Sequence, residues 1–226
     1  MIKLRNWCLL LAVLFGSLLA SGCIAFHSGN ARLIDPYPPN ALQEKQNKPV
    51  TVAMQTRFQV VGMITTDSHR QSAVDNIEGW AEDIINETGY FQYAVDKTTS
   101  DYVLVMNVRD EGNPNLALSF LSGFTLTILP TFATDSYIIT CELRDHAGKK
   151  IGERKIEQEM TTIIELLMIF GTPFASPKQV SERMWRQTLK DVTVWMYETI
   201  NQRKHALWDN PGNNRLIFAY GGDKSW

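Results

Sequence analysis

The sequence has too few cysteines to build a disulfide framework. Of the three in 226 residues, Cys8 lies in an apolar N-terminal run, Cys23 follows that run, and Cys141 stands far downstream. Small exported domains usually use paired cysteines as covalent staples. If Cys8 leaves with a leader and Cys23 is modified, Cys141 has no partner. We therefore predict a fold stabilised by its apolar core, with Cys141 as a buried, inert thiol rather than a redox group.

Recognisable catalytic and metal-binding motifs are also missing. The four histidines do not stand at metal-ligand spacing from a Cys, Asp or Glu, and no Cys-x-x-Cys pair occurs. There is no Gly-x-Ser-x-Gly elbow and no glycine-rich phosphate loop followed by lysine. Several acidic residues could pair as acid and base, but their spacing selects no pair. We expect neither catalytic residues nor a bound metal or cofactor, so the sequence predicts a protein that is not an enzyme.

Positive charge is not in excess. The chain has 22 Lys and Arg against 24 Asp and Glu, a formal charge of −2. Two of the basic residues, Lys3 and Arg5, precede the apolar run; without them 20 basic and 24 acidic residues give −4. Nucleic-acid binding needs clustered positive charge to neutralise phosphates. We therefore exclude nucleic acid as a partner.

The N-terminus has the pattern of an export signal. After Lys3 and Arg5, residues 7–19 form an almost unbroken apolar run, shorter than the roughly 20 residues that a transmembrane helix needs. The run leads into Ala20-Ser21-Gly22-Cys23, which resembles the lipobox of bacterial lipoprotein precursors. The resemblance implies cleavage between Gly22 and Cys23 and acylation of Cys23, and it departs from the pattern at Ala20, where leucine is most common. An ordinary cleaved signal and an uncleaved N-terminal anchor are the alternatives.

The resemblance also implies an address. Three acyl chains on the N-terminal cysteine would anchor the chain to a membrane almost permanently, since each buried CH₂ contributes about 0.8 kcal/mol. Ile24 follows the cysteine, where an aspartate would resemble an inner-membrane retention signal. In a Gram-negative host we therefore expect an outer-membrane lipoprotein that faces the periplasm.

The remaining chain divides into a proline-rich segment, a domain and a tail. Residues 23–49 contain four prolines and few large apolar side chains, which favours a flexible, extended tether. The folded domain is predicted over 50–202, and 203–226 is predicted as a loose end or an edge strand. Residues 1–22 would be the signal peptide.

Hydrophobic periodicity predicts an α+β domain with a small mixed or antiparallel sheet and two helices on one face. Strands are expected at 51–63, 101–108 and, as a hairpin, at 135–143 and 150–160. An amphipathic helix is expected at 71–87 with Gly89 as its C-terminal stop, and a second from Pro177 to about 202 with Ser176 as N-cap. The second helix should bury five residues in one stripe: Trp185, Leu189, Val192, Met196 and Ile200.

The element order resembles the periplasmic domain of lipoproteins such as the curli secretion channel, and the N-terminal domain of the Tol translocation protein. The resemblance depends on Thr88-Gly89-Tyr90-Phe91 after the first helix, Asp101-Tyr102-Val103-Leu104, and the hairpin with Leu143-Arg144-Asp145-His146-Ala147-Gly148. It covers about residues 50–200 and implies a fold only.

Two nearly uncharged inserts interrupt this domain. Residues 112–134 contain no charged residue over 23 positions, and in 161–174 only Glu165 is charged. The first insert alternates as a hairpin with a turn near Ser122-Gly123. The candidate interaction residues of the two inserts are Leu116, Leu118, Phe120, Phe124, Leu126, Ile128, Ile164, Leu167 and Phe170.

Three interpretations of these inserts stay open. They cover the sheet as ordinary core, they form an apolar patch for self-association or an envelope protein partner, or they contact the membrane. We expect a non-enzymatic assembly, export or accessory lipoprotein; a periplasmic module that binds a lipid or other apolar ligand between sheet and helices is the alternative.

Overall fold

The computed structural model describes residues 22–43, 45–62, 66–114, 131–165 and 176–209. Within these ranges the chain forms one mixed sheet in which the strands lie in the order β1-β7-β6-β4-β2-β3, with the short β5 paired to β6. The strands are β1 (Gly22–Gly29), β2 (Val50–Val60), β3 (Phe91–Ala94), β4 (Tyr102–Asp110), β5 (Asn113–Pro114), β6 (Thr131–Asp145) and β7 (Lys150–Glu165). The helices are α1 (Asn40–Gln43), α2 (Asp67–Asn86) and α3 (Pro177–Asp209).

The first half of the predicted domain is a parallel crossover unit. Strand β2 pairs in parallel with both β3 and β4, and α2 makes the connection. Helix α2 begins after Thr66, whose hydroxyl accepts a hydrogen bond from the His69 N–H at 3.4 Å. It buries the predicted apolar stripe against the sheet, and the buried residues are Ile77, Ala81, Ile84 and Ile85. The predicted strands at 51–63 and 101–108 and the first helix are confirmed.

Gly89 has a different role from the predicted helix stop. Helix α2 ends at Asn86 and its C-cap, Glu87, keeps a right-handed conformation. The Gly89 N–H donates to the Leu42 carbonyl at 2.8 Å, and a Cβ on Gly89 would lie 2.7 Å from the Gln43 carbonyl oxygen. The glycine is therefore needed because the backbone of α1 approaches it closely, which no local pattern around residue 89 reveals.

The second half is a long hairpin and a long helix, as predicted. Strands β6 and β7 are joined by a turn in which Gly148 adopts a positive φ of 76° and Asp145 accepts the Lys149 N–H at 3.0 Å. Helix α3 begins after Ser176, whose hydroxyl accepts the Gln179 N–H at 3.4 Å. All five residues of the predicted stripe are buried, while the helix continues to Asp209, past the predicted end. Of the predicted tail, residues 210–226 lie outside the described ranges.

The proline-rich segment is packed on the domain, which contradicts the prediction of a flexible tether. Strand β1 pairs antiparallel with β7 along its whole length, from Gly22 opposite Glu165 to Gly29 opposite Gln158. Leu42 is fully buried, and the Tyr37 hydroxyl donates to the Ile84 carbonyl at 2.7 Å. The prediction failed because it weighed local composition, whereas these contacts come from residues far away in the chain.

One ion-pair network locks this segment to α3. Asp191, whose side chain is 0% exposed, accepts hydrogen bonds from Arg32 Nε at 2.6 Å and from Arg154 at 2.7 Å. The Arg32 N–H donates to the same carboxylate at 3.0 Å, and the guanidinium also contacts Glu198 at 2.9 Å. The hydrogen bond to Glu198 is the first cause of the raised pKa of Arg32, with Asp191 adding to it. The domain thus includes the segment from Gly22 onward.

The two faces of the sheet differ in their cover. Helices α2 and α3 pack on one face, and side chains alternate in β6 so that Tyr137, Ile139, Cys141 and Leu143 point into the core. The opposite face carries no helix among the described residues. The α+β class with helices on one face is confirmed.

Candidate functional site

Three strand ends meet at one end of the sheet. Strand β1 starts at Gly22 and Cys23, β7 ends at Glu165, and β6 starts at Thr131. The Cα of Cys23 is paired with that of Ile164, which is paired on its other side with that of Thr131. The cysteine of the lipobox-like sequence therefore lies at the end of the sheet, which we call the Cys23 end. The opposite end, where a turn connects β6 to β7, is the turn end.

Both uncharged inserts depart from the Cys23 end. Asn113 is paired with Thr134 and Pro114 with Ala133, so the first insert leaves the sheet and returns to it at adjacent positions. The second insert, 161–174, begins within β7, which ends at Glu165. Of the candidate interaction residues, Ile164 lies in β7, and Leu116, Leu118, Phe120, Phe124, Leu126, Ile128, Leu167 and Phe170 lie outside the described residues.

The open face of the sheet is apolar at the same end. Phe132 is paired with Ile163 and Ile163 with Ile24, while Thr134 is paired with Thr161 and Thr161 with Phe26. Directly opposed residues of antiparallel strands share a face, and so do residues two apart along a strand. These six residues, which we call the apolar strip, form two rows: Ile24, Phe26, Phe132, Thr134, Thr161 and Ile163.

Large side chains of the apolar strip are exposed. Phe26 is 57% and Phe132 42% exposed, although both lie in regular strands. The hydroxyls of Thr134 and Thr161 lie 3.1 Å apart and satisfy each other. Phe26 and Phe132 are not among the predicted interaction residues. Ile24 and Phe26 stand at alternate positions after Cys23, as in a strand. This pattern is only two residues long, and a proline-rich segment follows it.

Charged side chains bound the strip on the same face. The third row contains Ser28, Ser136 and Glu159, and Glu157 follows in the fourth. Further rows toward the turn end carry Lys155 and then an opposed pair, Glu142 and Glu153. The two uncharged rows thus lie about 7 and 13 Å from the strand ends, at about 3.3 Å per residue, and the row with Glu159 follows at about 20 Å. Glu165, two positions beyond Ile163 in β7, is the charged residue at the outer end of the strip.

Two carboxylates lie on the helix-covered face at the Cys23 end. Asp110 is only 9% exposed, and its Oδ1 has no hydrogen-bond partner among the described residues. Burial, with a smaller contribution from the charge of Asp135, raises the pKa of Asp110 to about 6, and burial also raises the pKa of Asp135. The charges of both carboxylates contribute to the raised pKa of Tyr137, and no metal-ligating cluster includes the pair in the described part of the chain.

The turn end holds a polar cleft with a different character. It measures about 420 Å³ and is lined by residues that include Lys48, Asp101, His146 and Arg203. Asp101 accepts both the N–H and the hydroxyl of Thr51 at 2.8 Å, and the bond from the N–H is the main cause of its lowered pKa. Because Asp101 and Asp145 already accept hydrogen bonds from backbone N–H groups, neither carboxylate of the cleft is a free general base.

The remaining predicted groups are structural or lie outside the described ranges. Cys141 is fully buried, and burial raises the pKa of its thiol to about 12, as expected for an inert thiol. Buried side chains form one core between the sheet and the helices in the described residues. A cavity of about 280 Å³ also lies between β1 and α3, lined by Ala25, Phe26, His27, Val180 and Arg183. The alternative of a bound apolar ligand stays a prediction. No described helix has the length and apolar character to cross a membrane.

The fold defines an α+β protein of the helix-on-sheet class, and comparisons place it beside proteins of low similarity. No family model and no curated protein matches the sequence. The solved structures include a Helicobacter pylori protein described as a homologue of the neuraminyllactose-binding hemagglutinin, at 12% identity and a TM-score of 0.44, covering 80% of this chain and 97% of that one.

Two further structures are similar at lower scores. PelC from Paraburkholderia phytofirmans, a dodecamer, shares 13% identity over 76% of this chain and 97% of its own, with a TM-score of 0.35. A minor lipoprotein from Acinetobacter baumannii shares 13% over 69% of this chain and 92% of its own, with a TM-score of 0.34. These similarities are too low to carry an argument about activity, ligand or assembly. The resemblance to the curli channel and Tol domains stays a prediction.

Proposed function

We propose that this chain is a cell-envelope lipoprotein, acylated on Cys23, that serves as a non-enzymatic assembly or accessory component. In a Gram-negative host its membrane would be the outer membrane and its domain would face the periplasm. The single observation that carries the proposal is the convergence of Cys23, both uncharged inserts and the apolar strip at one end of the sheet.

The position of Cys23 supports this proposal. A thiol that begins an edge strand is accessible to an acylating enzyme before the domain folds, and the attached lipid then leaves from the tip of the sheet. Because Ile24 already belongs to β1, the folded domain begins directly after the modified residue. The domain would therefore lie close to its membrane, with the Cys23 end toward the bilayer.

The chemistry of the described residues favours binding over catalysis. Asp101, Asp145 and Asp191 are held by hydrogen bonds to backbone or arginine groups. Asp110 and Asp135 belong to no metal-ligating cluster among the described residues. Contact with a partner envelope protein or with further copies, through the uncharged inserts, is the activity that we assign to the domain.

Intact-mass analysis of the chain extracted from membranes tests the anchor. We expect a mature N-terminus at Cys23 with a mass increase equal to three acyl chains. Cys23→Ala should leave unprocessed precursor or release the protein from membranes, while the matched variant Cys8→Ala should be processed normally. A mature N-terminus elsewhere, or an unmodified cysteine at position 23, would contradict the proposal.

Cross-linking in intact cells and mass photometry of the purified protein test the assembly role. We expect a discrete oligomer or a captured envelope protein whose cross-links lie at the Cys23 end. A strictly monomeric protein without any cross-linked partner would argue against this role and leave the anchor unaffected.

A further inference from the structure

We propose that the apolar strip lies against the surface of the lipid bilayer and fixes the orientation of the domain on its membrane. This inference rests on the proposed lipid anchor and adds a second, non-covalent contact made by the sheet itself. The occupant of the strip is the bilayer interface, where acyl chains meet headgroups.

Distance along β1 brings the strip to the membrane. Cys23 and Phe26 are three residues apart in a continuous strand, or about 10 Å at 3.3 Å per residue. If the acyl chains of Cys23 are in the bilayer, Ile24 and Phe26 lie within about 10 Å of its surface. A flexible tether between Cys23 and the domain would allow the strip to lie far from the bilayer. Strand β1, however, is paired with β7 from Gly22 to Gly29, so the backbone from Cys23 to Phe26 is held in the sheet.

The depth of the strip matches the depth of an interfacial contact. Elements that lie in the interface bury their apolar face about 5–10 Å into the headgroup and acyl boundary. The two uncharged rows are about 7 Å apart along the strands, and they lie between Glu165 at the end of β7 and Glu159 in the third row. Burying either carboxylate would be costly, so the contact should be confined to the two rows.

The exposed aromatic side chains are concentrated where the lipid would be. The other exposed large apolar residues of the described surface follow different strands: Leu33 is 80% exposed beyond β1, Val61 is 40% exposed after β2, and Val95 is 89% exposed after β3. Isolated residues of this kind are ordinary on protein surfaces. Phe26 and Phe132 instead share one face with Ile24 and Ile163, and they adjoin the starting points of both uncharged inserts.

A second copy of the chain is the competing occupant. Strand β1 is a sheet edge and could pair with another β1 through its backbone. The apolar strip, however, lies on the face of the sheet rather than along its edge, and it is confined to the end where Cys23 is found. A bilayer explains both features.

Site-specific fluorescence on the lipidated protein tests the contact. Phe26→Cys, Phe132→Cys and, as control, Val95→Cys are purified from membranes, labelled with an environment-sensitive maleimide dye, and incorporated into phosphatidylethanolamine–phosphatidylglycerol vesicles. The native thiols do not compete if Cys23 is acylated, because Cys141 is buried. We expect a blue shift and quenching by brominated lipid at positions 26 and 132 and neither effect at 95.

Equal signals at all three positions would overturn the proposal. A blue shift at 26 and 132 that depends on protein concentration and not on vesicles would also overturn it, in favour of self-association. Intact mass of the same samples reports separately whether Cys23 is acylated, so failure of the anchor and failure of the contact are distinguishable.

A lipid-free measurement keeps the contact testable if acylation fails. The Cys23→Ser chain is sedimented with the same vesicles, alone and with Phe26→Ser and Phe132→Ser combined. We expect the double variant to bind about tenfold more weakly, as follows from losing two partly buried phenylalanines. The control Leu33→Ser with Val95→Ser should bind like the parent, and equal binding by both double variants would refute the contact.

Discussion

At the turn end of the sheet, Asp101 and Asp145 accept hydrogen bonds from backbone N–H groups, and Arg203 contacts Asp145 at 3.1 Å. At the Cys23 end, Asp110 keeps an oxygen without a donor among the described residues, and the open face carries exposed phenylalanines. The turn end thus pairs its carboxylates, although the Nε of Arg144 there has no partner among the described residues, whereas the Cys23 end leaves a carboxylate oxygen unpaired and two phenylalanines exposed. The difference indicates that the Cys23 end is the one completed by something else, which is the basis for placing the functional surface there.

The largest effect should come from breaking the ion-pair network of Asp191, Arg32 and Arg154, which attaches the proline-rich segment to the domain. Asp191→Ala removes a fully buried carboxylate and leaves the cation of Arg154 without its partner inside the protein. We expect a loss of about 3–5 kcal/mol in the free energy of unfolding, because one member of a buried ion pair is left uncompensated. Urea denaturation followed by tryptophan fluorescence measures the loss.

Glu198→Ala is the matched control for that variant. Glu198 contacts Arg32 from the exposed side, where an ion pair contributes at most about 1 kcal/mol. If both substitutions cost the same, Asp191 is not the centre of the network, and the first strand is held by its backbone pairing alone.

The second test concerns the unsatisfied carboxylate at the Cys23 end. The pKa of Asp110, raised to about 6, lies above the unfolded value near 3.9, so the folded protein disfavours the charged form. The resulting penalty is absent below about pH 4, grows as pH rises, and is complete above about pH 6. Asp110→Asn should therefore stabilise the protein at pH 7.5 by about 2 kcal/mol and should have little effect at pH 4.

Denaturation curves of Asp110→Asn and the parent at both pH values measure this effect. A destabilised variant at pH 7.5 would mean that the carboxylate has a partner when the protein is intact. In that case the two ends of the sheet would be alike in satisfying their charges, and the contrast between them would rest on the apolar strip alone.

A third, smaller effect of opposite sign is expected at the turn end. Hydrogen bonds from Thr51 hold the pKa of Asp101 below its usual value, so its charged form stabilises the folded protein. This contribution is present above about pH 4 and is lost as pH falls through the lowered pKa. Asp101→Asn should cost about 0.5–1.5 kcal/mol at pH 7.5, as for a single hydrogen bond. A thermal melt series from pH 3 to pH 7.5 reports it, and stabilisation instead of loss would contradict the assignment.

The elements that the sequence could predict are those whose signals are local. The apolar residues of α3 recur every three to four positions, and Gly148, which adopts a positive φ, stands in a turn between two alternating strands. The helix and the hairpin were therefore predictable. The order of strands in the sheet and the pairing of β1 were not. Arg32 and Asp191 are 159 positions apart, and no spacing rule connects residues at that separation.

The candidate site shows the same division. The proposal for Cys23 comes from a short linear pattern of the kind that export enzymes read, and the lack of charge in the inserts is visible in the sequence itself. The apolar strip was not predictable, because its two rows combine alternate residues from β1, β6 and β7. Only the antiparallel pairing of all three strands puts Phe26 and Phe132 on the same face.

The smallest expected effect tests whether the exposed side chain of Phe26 contributes to the stability of the fold. Phe26→Ser at the Cys23 end and Val95→Ser far from it should each change the free energy of unfolding by less than about 0.5–1 kcal/mol, because both side chains are largely exposed. Denaturation of the two variants in detergent without vesicles measures the changes. If Phe26→Ser costs several kcal/mol, the phenylalanine serves the core and the apolar strip loses one of its two aromatic residues. If neither variant changes the free energy of unfolding, Phe26 is not needed for folding, and vesicle binding is the measurement that reports its role.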